Sequence, residues 1–231
     1  MTRPAPYAVL LALTTLGLTG ASVGSAASIY HPDGLNPGDQ YRLVFQTSSR
    51  RDATSQDIND YNAFVTAEAT APGSLIEGLS TKWRAIASTR TVDAIDNTAT
   101  DPSPLGPTGV PIYQIDGLTR VADNYDDLWD GSVASTIYQN PFPEFGTELN
   151  WTGTGPDGTA QLPLGGDTVN YGLITTLDSG WIAWDDLFMT DLEASMYGIS
   201  GVLTVVPEPG SGSIVGLGLL GVVASRRRRG A

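Results

Sequence analysis

Apolar residues fall into short periodic segments through the middle of the 231-residue chain and into two longer uncharged runs at its ends. Tyr41, Leu43 and Phe45 share one face of residues 41–47, which predicts a strand. Ile58, Tyr61, Phe64, Val65 and Ala69 recur at a helical period, with Asp57, Asp60 and Glu68 off that face. They predict a helix that stops before Pro72-Gly73, with Thr54 and Asp57 as a capping box. Residues 83–88 read as a strand, and residues 89–108, rich in Asp, Asn, Thr, Pro and Gly, as a long loop. Residues 110–115 are extended and run into an Asp116-Gly117 turn. A brief helix over 123–129 is capped by Asp123 or a neighbour and closed by Gly131. Residues 149–154 lead into the turn Gly155-Pro156-Asp157-Gly158, and late strands are expected at 169–173, 181–184 and 197–206. Helices near the start followed by short strands and long loops predict an α+β domain.

The uncharged ends mean something different. Arg3 and the amino terminus, the apolar stretch 7–18 and the small residues 23–27 read as a secretory signal over 1–26. Cleavage is expected after Ala26, with Ala27 nearly as good. The other end has three parts over 206–231: Pro207-Glu208-Pro209, an uncharged run at 214–224, and Arg226, Arg227, Arg228 and Arg229. The prolines end the preceding strand and keep Glu208 extended for an enzyme to grip. Gly216, Gly218 and Gly221 allow close helix packing in a membrane. The arginines resist translocation and hold that end in the cytoplasm. The uncharged core is 11 residues, or 16 counted over 210–225. A spanning helix needs about 20, so a temporary sorting tail is expected rather than an ordinary anchor.

In order and content this tail resembles the PEP-CTERM sorting signal of Gram-negative, exopolysaccharide-producing bacteria, which the membrane protease exosortase recognises. The resemblance implies export by the secretion machinery and transient anchoring in the inner membrane. It also implies cleavage near Pro207-Glu208-Pro209, followed by release or attachment at the cell surface. The domain between the ends, 27–205, is then extracellular.

Removing both ends sharpens the charge. The whole chain is −13, but residues 27–206 keep 7 basic and 24 acidic residues, a net charge of −17. That excludes nucleic acid, whose binding requires neutralised phosphates, and is explained by solubility outside the cell. The absence of cysteine rules out disulfides and thiolate metal sites.

The body carries a second resemblance. Residues 83–89 (Trp-Arg-Ala-Ile-Ala-Ser-Thr) are followed by Val110-Pro111-Ile112-Tyr113, Asp116-Gly117 and Val121-Ala122-Asp123-Asn124. Asp127-Leu128-Trp129-Asp130-Gly131-Ser132 comes next, then, after a gap, residues 151–159 (Trp-Thr-Gly-Thr-Gly-Pro-Asp-Gly-Thr). This order resembles the C-type-lectin-like fold in its endostatin-like form and spans about 41–205. The resemblance implies that fold for the α+β body. The chain lacks the disulfides usual in that fold and the sugar-binding triplets Glu-Pro-Asn, Gln-Pro-Asp and Trp-Asn-Asp; Trp184-Asp185-Asp186 approximates the last.

Candidate chemistry in the body is sparse. His31, the single histidine, lies in a Pro/Gly-rich lead-in, which leaves neither a nucleophile–histidine pair nor a zinc site well supported. Gly155-Pro156-Asp157-Gly158 lacks the lysine and helix of a phosphate loop. Asp126-Asp127 and Asp185-Asp186 are sequence neighbours and so not ready acid–base couples. For calcium, which favours clustered oxygen ligands, the weak candidates are Asp123, Asn124, Asp126, Asp127 and Asp130, with Asp185, Asp186 and Asp191 as a second group. Trp83, Trp129 and Trp151 are assigned to the core, and one of Trp181 and Trp184 to the surface. The sequon at Asn150-Trp151-Thr152 is read as incidental. The expectation is an exported, non-catalytic surface or matrix protein. An extracellular polysaccharide-binding module, aided by calcium, is the alternative, and a secreted carboxylate-based hydrolase stands third.

Overall fold

The computed structural model describes residues 32–102, 108–143 and 146–206. In chain order the first half holds β1 (Gln40–Gln46), α1 (Ile58–Thr70), β2 (Trp83–Ala85), α2 (Ala94–Thr98), β3 (Ile112–Gln114), β4 (Arg120–Ala122) and α3 (Tyr125–Leu128). The second half holds β5 (Leu149–Trp151), β6 (Val169–Leu173), β7 (Asp185–Leu187), β8 (Tyr197–Ser200) and β9 (Leu203–Thr204). The domain is α+β, with two sheets and few helices, as predicted.

β1 lies at the centre of the larger sheet, ordered β2-β8-β1-β3-β4. It runs parallel to β3 in the register Arg42↔Ile112 and antiparallel to β8 in the register Phe45↔Gly198. β9 pairs with its first residues. The beginning and end of the described chain therefore meet in one sheet. The second sheet is antiparallel, ordered β5-β6-β7.

Both faces of β1 are covered, so its simple alternation conceals two cores. Tyr41, Leu43 and Phe45 face α1 residues Tyr61, Val65 and Ala69, together with Trp83 and Trp151. Val44 faces a second cluster with Ile112, Leu128, Trp129, Trp181 and Tyr197. At the strand contact Phe45 meets Trp83 edge-on, with centroids 5.3 Å apart. A Cβ at Gly198 would come within 2.6 Å of the Phe45 ring, so only glycine leaves room for that pair.

α1 spans the predicted helix, and its C-cap is Ala71, just before Pro72-Gly73. Its cap differs from the expectation. Asp57 is the N-cap and accepts from Asn59 N, while Thr54 bonds to Asp52. Glu68, off the apolar face, is nonetheless buried because it accepts the backbone N–H groups of Ser48 (2.6 Å) and Ser49 (3.2 Å). The free edge of β2 is covered by side chains: Asn62 accepts from Ala85 N, Asn97 donates to Ala85 O, and Thr66 donates to Trp83 O. An edge blunted in this way cannot template further strands.

Other elements depart further from expectation. The stretch 89–108 contains α2, which Ala99 ends in a left-handed conformation at φ 53°. Residues 181–184 do not form a strand. A 3₁₀ turn occupies Ser179–Trp181, capped by Asp178, and pairing resumes only at β7. The final strand divides at Gly201 into β8, whose pairing with β2 the Gly201 N–H prolongs by donating to Lys82 O at 2.7 Å, and β9, which pairs with β1. Among the described residues no helix is long and apolar enough to cross a membrane.

Candidate functional site

The segments carrying the body resemblance are far apart in sequence and adjacent in space. Ser88 N donates to Thr152 O at 2.8 Å, Leu164 N donates to Ser88 O at 2.9 Å, and the hydroxyls of Ser88 and Thr154 lie 3.0 Å apart. Gly158, in the predicted turn, sits against Ile95 and the Trp129 ring. Trp129 Nε1 donates to Thr100 Oγ1 at 2.9 Å, and Trp151 Nε1 to Leu192 O at 3.0 Å. Trp83, Trp129 and Trp151 are buried, as assigned. Asn150 is fully buried and accepts from Gln46 Nε2, so its sequon is inaccessible in the folded domain.

The acidic loop is built for folding. Asn124, not Asp123, caps α3 by accepting from Asp127 N at 3.0 Å. Asp127 in turn accepts from Asp123 N at 2.6 Å, a reciprocal arrangement that closes the helix start. The Asp123 carboxylate pairs with Arg120 at 2.8 Å on the surface. Asp126 holds Thr108 through its N–H and hydroxyl, and Asp130 holds Ser132 in the same way. The candidates for calcium thus point at separate partners. Among the described residues no three histidine or acidic side chains converge as a metal site.

The second acidic group has a different character. Trp184 is 51% exposed while Trp181 is buried, and the 3₁₀ turn rather than strand parity sets them apart. Trp184 N donates to Tyr171 O, and the indole covers Gly180. Asp185 and Asp186 follow on β7, an edge strand, and Phe188 and Met189 continue the exposed apolar surface at 79% and 63%. Burial, and then the charges of Asp185 and Asp186, push the Tyr171 hydroxyl above its ordinary pKa. An exposed indole beside two carboxylates can stack on a sugar ring and accept from its hydroxyls.

The sequence reading singled out no basic residue of the body, yet Arg42, Lys82 and Arg84 line a single pocket. The available signal was Arg42 itself, a charge inside an otherwise apolar central strand. The sorting motif Pro207, Glu208 and Pro209, the stop-transfer residues Arg226, Arg227, Arg228 and Arg229, the cleavage site Ala26, and His31 all lie outside the described residues.

Residues 205–229 match the family model of the PEP-CTERM protein-sorting motif. No curated protein matches the chain. The motif implies an exported chain sorted by exosortase, with a cell-surface or extracellular destination.

Proposed function

We propose that this protein is a non-catalytic surface or matrix component, exported by a signal at 1–26 and released from its tail at Pro207-Glu208-Pro209. The match over 205–229 carries this reading, because the proline-flanked acid, the uncharged run and the arginines occur in the order that sorting requires. The arginines keep the tail's end in the cytoplasm during transit. Replacing Pro207, Glu208 and Pro209 together by alanine is expected to leave a tail-bearing precursor in the membrane fraction. Normal maturation of that variant would overturn the reading.

The body fits a lectin-like module that binds extracellular polysaccharide. The supporting observation is the exposed Trp184, next to Asp185 and Asp186 in a run that approximates the Trp-Asn-Asp triplet of sugar-binding lectins. The close packing of the family-like segments 83–89, 127–132 and 151–159 supports the endostatin-like form of that fold. Calcium would have to come to the Asp185–Asp186 edge, since Asp123, Asp126, Asp127 and Asp130 serve the loop. Retention on immobilised exopolysaccharide, lost in Trp184→Ala, tests the module.

A further inference from the structure

Three of the seven body cations converge in a domain dominated by acids. Arg42, Lys82 and Arg84 line a pocket of about 350 Å³ with Asn97, Thr98 and the exposed Asp96. Lys82 and Arg84 also form a wall of an adjoining groove of about 510 Å³ between α1 and β2, whose α1 side is Ala63, Thr66, Ala67 and Thr70. Volumes in this range suit small-molecule ligands.

The charge at this place enters no ion pair among the described residues. Among the described residues, none of the three cations has a carboxylate within salt-bridge distance; the ion pair there is Arg120–Asp123. Arg42 is only 3% exposed. Its Nε donates to Ser200 O at 2.6 Å, Nη2 to Thr98 O at 2.8 Å, and Nη1 to Ala99 O at a long 3.4 Å. A guanidinium carries five N–H donors; beyond these three carbonyls it hydrogen-bonds to the side chain of Tyr125, whose ring centroid lies 5.6 Å away, so none of its partners is a carboxylate. Buried cations are ordinarily paired with an anion. One of the body's 24 acids, Asp96, lines this pocket, and it forms no ion pair with Arg42.

We propose that the pocket binds the carboxylate of an acidic sugar unit, and that the rest of the saccharide chain lies along the α1–β2 groove. Arg42 holds a fixed positive charge at the base, and Lys82 and Arg84, which are less buried, add charge and free donors at the rim. The Thr66 and Thr70 hydroxyls, which donate to Trp83 O and Thr66 O, can still accept from a hydroxyl-rich ligand. The body's net charge of −17 repels dense polyanions, which favours a chain with isolated carboxylates. This inference rests on the extracellular polysaccharide reading and uses a surface separate from Trp184.

The test is calorimetric titration of the full chain, purified in detergent, with a xylo-oligosaccharide bearing a single glucuronate and with the unsubstituted xylo-oligosaccharide. Inorganic phosphate and polyglutamate are titrated in parallel. The acidic saccharide is expected to bind at least about tenfold more tightly than the neutral one, and Lys82→Ala/Arg84→Ala to weaken it by about tenfold to a hundredfold. Both substituted side chains are at least partly exposed, so the double variant is expected to fold. The proposal is overturned by any of four results: no binding, equal affinity for acidic and neutral saccharides, phosphate or polyglutamate binding as tightly as the uronate, or an unaffected double variant. Trp184→Ala should leave this affinity unchanged. A binding loss confined to Trp184→Ala would support the lectin-like reading and sink this one.

Discussion

Gly153 connects the two halves of the structure, and replacing it by alanine should be costly. Its φ is 61°, in the left-handed region, where an L side chain costs about 1 kcal/mol. A Cβ there would stand 2.5 Å from Leu164 N and 2.6 Å from Ser88 O. Those two atoms are hydrogen-bonded to each other at 2.9 Å, so neither can withdraw freely. Overpacking against such fixed neighbours adds about 2 kcal/mol. The total of about 3 kcal/mol corresponds to a fall in melting temperature of roughly 6–12 °C for a domain of this size. Gly34 is the matched control. Its φ is 81°, yet a Cβ would meet nothing within 4 Å, so Gly34→Ala should lose only about 2–4 °C. Thermal unfolding followed by circular dichroism on the full chain in detergent measures both. If Gly153→Ala melts within about 2 °C of Gly34→Ala, the close contact of 153 with 88 and 164 is wrong.

Three further outcomes are expected. Hydrogen bonds from Thr54 hold the Asp52 carboxyl below its ordinary pKa, and those from Thr159 do the same for Asp157. At Asp116 burial acts upward, but donors from Thr119, Leu118 and Gln139 together outweigh it and lower the pKa. Their stabilisation is therefore present above the ordinary aspartate pKa of about 3.9 and is lost as pH falls through that value toward the depressed ones. Asp116→Asn should flatten the acid limb of a melting-temperature profile, and an unchanged limb would refute the assignment. Trp184→Ala should leave the melting temperature within about 1–2 °C of the parent, since an exposed side chain contributes little to folding, while it removes retention on polysaccharide. EDTA should leave the melting temperature unchanged, because Asp123, Asp126, Asp127 and Asp130 already serve protein donors; a calcium-dependent rise would contradict that reading.

Periodicity revealed elements where local pattern and tertiary burial agree. α1 was legible because Ile58, Tyr61, Val65 and Ala69 form its core stripe and Pro72-Gly73 follows its end. β6 was legible because 169–173 is short, carries Val169, Tyr171 and Leu173, and is flanked by turns. The same pattern could not show that Glu68 turns inward, since its partners are backbone groups twenty positions earlier. Nor could it distinguish Asp57 from Thr54 as the cap, or Asn124 from Asp123, when every residue involved can accept a hydrogen bond. The 3₁₀ turn before Trp184 is set by the Asp178 cap, which accepts from Gly180 N, a local bond that hydrophobic periodicity does not encode. The basic pocket was hidden for another reason: Arg42 and Arg84 reach it from different strands and α2 closes it, so only the fold brings them together. The tail, by contrast, is a linear signal and was readable without any fold.

The central claim is that the chain is exported and its tail removed, and the intact mass of the protein recovered from producing cells tests it most directly. A mass beginning near Ala27 and ending near Pro207 is the predicted result. A mass that retains Arg226, Arg227, Arg228 and Arg229 would make the tail a permanent anchor and contradict the account.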